Sequence, residues 1–183
     1  MDVKLSDLDI KPWQRQIHEI FRAVGLRQVA YVPDAGHKGL IALAQGDPAM
    51  TASPMTSEEE GIALLAGAWL GGEKGVLLMQ SSGVGNCINM LALQQTCRFP
   101  LVMLITMRGE WGEFNPWQVP MSRGAKPALE AMGSLVYRVE DDGAVADTVA
   151  AALDLAYGSD QSVAVLLAQK LIGRKVWTKG GGG

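Results

Sequence analysis

Cysteine and histidine are scarce in this chain of 183 residues, with only Cys87, Cys97, His18 and His37 present. So few ligands, set far apart, give no basis for a disulfide framework, a structural zinc site or a His-based metal cluster. Basic residues are in deficit too. Lys plus Arg number 16 against 19 Asp plus Glu, a formal net charge of −3, so no cationic surplus exists to neutralise a nucleic-acid backbone or an anionic membrane surface. The apolar runs at residues 76–79 and 101–106 fall far short of the roughly 20 residues that a helix needs to span a bilayer. The first residues, with Asp2, Asp7 and Asp9, lack the basic-then-apolar form of a signal peptide. The expectation is a cytoplasmic protein with neither nucleic acid nor membrane as partner.

What the chain does have is 48% hydrophobic residues and 22 glycines that punctuate short apolar runs, the look of alternating strands and helices around one core. Helical spacing is expected over residues 13–24, 36–43, 56–70, 86–96, 126–132 and 143–157. Strands are expected over 28–32, 50–53, 76–79, 101–106, 135–139 and 162–168. Several of these strands are continuously apolar, which marks strands buried on both faces of a parallel sheet. The fold class expected is α/β, a doubly wound, mainly parallel six-stranded sheet with helices on both faces. The domain should occupy residues 12–172, with an extension over 1–11 and a tail over 173–183. The four glycines at 180–183 read as a linker or scar.

Ligands of such sheets bind at the carboxyl ends of the strands. The loops expected there hold most of the polar residues of interest. Gln80-Ser-Ser-Gly-Val-Gly85-Asn86 is either a tight strand-to-helix turn or a glycine-rich cradle facing an anion. Thr56-Ser-Glu-Glu59 opens a helix, where Glu59 at capping-box spacing either caps Thr56 or does chemistry. Arg108 leaves a buried strand for a long loop; its fork of donors suits a carboxylate, sulfonate or phosphonate, or a brace to Glu110 or Glu113. Asp34 and His37 follow a strand end and suit either an Asx-type turn or a substrate contact. Trp111, Phe114 and Trp117 concentrate aromatic surface in the same loop, as a pocket wall or a subunit contact does.

Taken in order and spacing, Val32-Pro-Asp34, Thr56 to Glu59 running into Ala66-Gly-Ala-Trp69, Met79 to Asn86, and Met107-Arg-Gly109 to Gln118-Val-Pro-Met121 resemble one family. It is the pyrimidine-binding half of thiamine-diphosphate-dependent 2-oxo-acid decarboxylases, nearest to the alpha subunit of sulfopyruvate decarboxylase and the N-terminal half of phosphonopyruvate decarboxylase. The resemblance covers about residues 12 to 170. In that family, a Glu ten residues before the aromatic of an E-x-x-A-x-x-x-A-x-G-[YF]-like helix binds the aminopyrimidine ring. Counting back from Trp69 gives Glu59 as the catalytic acid. Ile62 and Ala68 stand in place of the pattern's Ala and Gly, and a slip of one residue would give Glu60.

The resemblance further implies that Gln80, Ser81, Ser82, Gly83 and Asn86 line the cofactor with Glu59, while Asp34, His37 and Arg108 face substrate. No Gly-Asp-Gly segment with a downstream Asn follows Leu135, so the Mg2+ that accompanies thiamine diphosphate is expected on a beta subunit in a hetero-oligomer. The implied activity is that of a carboxy-lyase, active only with its partner subunit. Its substrate would be a small dianionic 2-oxo acid such as sulfopyruvate or phosphonopyruvate, and its products an aldehyde and carbon dioxide. Carboligation, or a non-catalytic regulatory or assembly role, are the alternatives.

Overall fold

The computed structural model describes residues 8–173; Asp2, Asp7 and the glycines at 180–183 lie outside them. The apolar runs form strands β1 (Leu26–Tyr31), β2 (Thr51–Pro54), β3 (Lys74–Gln80), β4 (Leu101–Thr106), β5 (Leu135–Val139) and β6 (Ser162–Leu167). They make one sheet in the order β2-β1-β3-β4-β6-β5, every pair parallel. β4 and β6 are buried at every position, so their sequences show no polar alternation. The edge strands β2 and β5 are largely uncovered.

Between the strands run α1 (Pro12–Ala23), α2 (Lys38–Gly46), α3 (Glu58–Leu70), α4 (Val84–Cys97), α5 (Gln118–Ala131), α6 (Asp142–Ser159) and the short α7 (Gln169–Ile172). Side chains alternate across each strand. Val76, Leu78, Val102, Leu104, Val163 and Val165 meet Trp13, Ile17 and Phe21 of α1, Leu40 of α2 and Val149 of α6 on one face. Leu77, Met79, Leu101, Met103, Ile105 and Leu166 meet Ile62 of α3, Leu91 of α4 and Leu129 of α5 on the other. The sheet is therefore doubly wound, as expected. Strand order reverses at β1 and β3, and the crevice outside their carboxyl ends is where such sheets take ligands.

One element differs in extent. α5 begins at Gln118 rather than near Lys126, so the loop before it ends at residue 117. Pro120 falls in the first turn, where a backbone N–H has no helical acceptor in any case. Pro127 lies inside the helix and forfeits one hydrogen bond, but Ala125 and Leu129 beside it are fully buried, and their packing keeps the helix together. Among the described residues no helix is long and apolar enough to cross a membrane.

Candidate active site

Ser57, extended at φ −142° and ψ 155°, precedes α3, whose first turn carries Glu58, Glu59 and Glu60. Successive helical residues leave the axis about 100° apart, so the three carboxylates part company. Glu58 is buried, 6% exposed, and its Oε2 accepts a hydrogen bond from Asn86 Nδ2 at 2.8 Å. Glu58 Oε1 has no hydrogen-bond partner among the described residues. Glu59 is half-buried and accepts from the Ser57 hydroxyl, which holds its carboxyl below the ordinary carboxylate range. Glu60 is exposed and takes the Thr56 backbone N–H at 2.9 Å. The expected pairing of Thr56 with Glu59 is not made. Ser57, not Thr56, is the last extended residue before the helix, so the backbone of Thr56 reaches Glu60 instead.

Against Glu58 lies the turn that follows β3. Residues Ser81–Gly83 form a single 3-10 turn leading into α4. A Cβ at Gly83 would run into the Glu58 carboxyl group. The Gly83 φ of −68° is ordinary, so glycine is required here by the close approach and not by the backbone. Gln80 is half-buried, and its Oε1 lies 3.5 Å from Arg108 Nη1. Ser81 is wholly buried; its Oγ accepts the Arg108 backbone N–H at 3.1 Å. Ser82 is half-buried and the rest of Asn86 is exposed. Cys87 on α4 is no nucleophile, because burial pushes its thiol up to about 12.

At the end of β1, Asp34 Oδ2 accepts the Gly36 N–H at 2.9 Å and the Thr106 hydroxyl at 2.7 Å. This Asx-type turn is thereby pinned to the end of β4. His37 departs from expectation: it is wholly buried, with Nε2 2.9 Å from the Leu104 carbonyl oxygen. Burial pushes its pKa down, and the ring is packed into the core rather than exposed at the strand end.

Arg108 follows β4, and here the brace is what forms. Its Nε and Nη2 donate to the two oxygens of Glu113 at 2.9 and 2.8 Å, and the guanidinium lies 5.7 Å from the Phe114 ring centroid. Gly109, at φ +75°, turns the chain so tightly that a Cβ would strike the backbone of Gln118, a conformation open to glycine. Glu110 pairs with Arg138 of β5. A small cleft of about 20 Å³, room for roughly one water, lies between Asp34, Gly36, Arg108, Phe114 and Gln169. Phe114 thus walls this cleft while staying 36% exposed, whereas Trp111 and Trp117, 46% and 69% exposed, present surface. No group of three His, Cys, Asp or Glu among the described residues is placed to hold a metal ion.

No family model matches the chain. It is 34% identical over 145 residues to the sulfopyruvate decarboxylase subunit alpha of Methanothermobacter thermautotrophicus, a match covering 78% of this chain and 87% of that one. The chain belongs to the family of sulfopyruvate decarboxylase alpha subunits. This alpha-subunit chain is also 42% identical over 91 residues to the phosphonopyruvate decarboxylase of Streptomyces viridochromogenes, covering 49% of itself and 23% of that protein. Among solved structures, the 2-oxoglutarate:ferredoxin oxidoreductase from Magnetococcus marinus, with 2-oxoglutarate, coenzyme A and succinyl-CoA bound, superposes with a TM-score of 0.69 at 17% identity. The match covers 93% of this chain and about a third, 34%, of that one; at such identity it speaks for the fold.

Two residues of this alpha-subunit chain escaped the sequence reading. Glu58 was passed over because the helix pattern was anchored on Trp69. Anchored on Gly67, the same pattern leads nine residues back to Glu58 and sets Gly61, a small residue, at its first Ala. Gln169, which ties down the Arg108 loop, follows the last strand with no motif around it.

Proposed function

We propose that this chain is the pyrimidine-binding alpha subunit of a thiamine-diphosphate-dependent decarboxylase that acts on a small dianionic 2-oxo acid such as sulfopyruvate or phosphonopyruvate. The observation that carries the reading is Glu58, a buried carboxylate with one oxygen tied to Asn86 and the other without a partner among the described residues. The residues fit an aminopyrimidine ring: an acid is available for the ring N1′, and the missing side chain at Gly83 leaves the carboxyl group its room. When bound, thiamine diphosphate supplies the carbon nucleophile and the electron sink for loss of carbon dioxide. The role expected at Glu59 passes to Glu58, since Glu59 is half-exposed and engaged by Ser57.

In this reading Glu58 holds and returns a proton at N1′, and Asn86 fixes the angle of the carboxylate. Gln80, Ser81, Ser82 and Gly83 line the ring and the reacting carbonyl. Arg108 faces the acidic end of the substrate. Its guanidinium has five N–H bonds; Glu113 takes two and Gln80 lies near a third, which leaves an end-on edge for an anion. Brace and reader are thus compatible. Asp34, held by Thr106 and Gly36, borders the same cleft. The Mg2+ and the diphosphate group belong to a beta subunit, in keeping with the alpha-subunit naming of the relatives.

The test is to purify the full chain alone and together with a partner subunit that carries a Gly-Asp-Gly segment and a downstream Asn, adding thiamine diphosphate and magnesium. The assembly should release carbon dioxide and an aldehyde from sulfopyruvate or phosphonopyruvate; the single chain should not. Tight cofactor binding with full turnover by the single chain would overturn the two-subunit reading.

A further inference from the structure

Gln169 opens α7 directly after β6, far along the chain from the Arg108 loop, yet it is 6% exposed and spends its whole amide on that loop. Its Oε1 accepts the backbone N–H groups of Glu110 and Trp111, both at 2.9 Å. Its Nε2 donates to Glu113 Oε2 at 3.0 Å. Its own backbone N–H donates to Glu110 Oε2 at 3.2 Å. The Glu113 carboxylate in turn collects donors from Arg108 Nε and Nη2, Gly109 N, Asn115 N and Gln169 Nε2. The two short bonds that set the plane of the Arg108 guanidinium therefore both run to Glu113, with Gln80 at 3.5 Å the longer third, and Gln169 is the only side chain from another element that reaches Glu113 among the described hydrogen bonds.

We infer that Gln169 is a positioning residue for Arg108: it locks the loop over residues 107–117 so that the free edge of the guanidinium meets the acidic end of the substrate. The inference rests on the reading of this chain as a decarboxylase subunit for a dianionic 2-oxo acid. The chemistry asks for such a lock. A planar fork recognises a sulfonate or phosphonate only in one orientation, and a loop of this length loses that orientation unless something outside it holds it. A neutral amide suits the place because it must give one hydrogen to a carboxylate and accept two from the backbone at once. A carboxylate here would repel Glu113 and Glu110, and an apolar side chain would leave two backbone N–H groups unpaired.

The experiment compares the parent with Gln169→Glu and Gln169→Met, each as the full chain assembled with its partner subunit. The KM for sulfopyruvate should rise by at least about tenfold in both variants, with kcat falling less. Inhibition by pyruvate, which shares the 2-oxo acid group and lacks the second anion, should change by less than about twofold. A merely structural role would weaken both ligands alike, and that result would overturn the inference, as would an unchanged KM. Hydrogen exchange in the full chain reads the lock itself: the Glu110 and Trp111 amides and the Arg108 Nε–H should exchange at least about tenfold faster in the variants. If they do not, Gln169 holds nothing. If the exchange responds but the parent assembly decarboxylates no dianionic 2-oxo acid, the functional reading falls and takes the substrate half of the inference with it.

Discussion

Asn86 reaches Glu58 across 2.8 Å from a position 28 residues further along the chain. Each stands in the first turn of its helix, Glu58 at the start of α3 and Asn86 near the start of α4. Parallel strands β2 and β3, which lead into these two helices, flank β1, and their shared direction brings the two helix starts to the same edge of the sheet. The bond claims one carboxylate oxygen and aims the other, so the pair behaves as one unit: the acid and the group that sets its angle.

Replacing the acid separates the neighbouring carboxylates by function. Glu58→Gln keeps the length of the side chain and removes the carboxyl group proposed to exchange a proton with N1′. In the assembled enzyme kcat should fall by at least roughly a hundredfold, the usual scale for a positioned acid-base group. Glu59→Gln should leave kcat within about threefold, because its carboxylate is engaged by Ser57 near the surface. Exchange of the cofactor's C2 proton, followed by NMR after quenching, measures the step directly. Normal exchange in Glu58→Gln with slow exchange in Glu59→Gln would reverse the assignment.

Gly83→Ala tests the close approach. The new Cβ would meet the Glu58 carboxyl group, while the backbone at φ −68° accepts alanine without strain. Thermal unfolding should therefore shift by no more than the equivalent of about 1 kcal/mol. In the assembled enzyme kcat/KM should fall by at least about tenfold as Glu58 is pushed off its position. A loss of stability with kcat/KM intact would place Gly83 in the packing of the turn alone.

Acid should open the Arg108 loop. The Arg108 guanidinium, followed by the backbone N–H groups of Asn115 and Gly109, lowers the Glu113 pKa from its ordinary 4.5 to about 2. A carboxyl group depressed in the folded state contributes stability that is present above its unfolded pKa and is lost as pH falls toward the folded one. The window is thus from 4.5 down to about 2. Trp111 and Trp117 flank the clasp, and their fluorescence should change across that window in the parent. In Glu113→Gln the loop should already be loose at neutral pH and the change absent; an identical acid transition in the variant would show that other carboxyl groups govern it.

Sequence alone determined the sheet and both its helical layers, because burial on two faces leaves runs such as residues 101–105 without any polar residue, and glycines punctuate the chain between such runs. It also determined which edge of the sheet carries the polar loops and which family the motifs resemble, since the loops after β1, β3 and β4 keep their order and spacing along the chain. Three things were decided only in three dimensions. Which of Glu58, Glu59 and Glu60 faces inward depends on where the extended chain ends, and Ser57 rather than Thr56 ends it; one residue turns a side chain by about 100°. The inward burial of His37 follows from its packing against Leu104 of β4, 67 residues away, and the state of Arg108 follows from Glu113 and from Gln169, whose place beside the loop exists only once β6 has paired with β4. Local pattern reports propensity and periodicity, whereas the partner of a buried charge or a clasping amide is chosen by contacts between segments far apart in the chain.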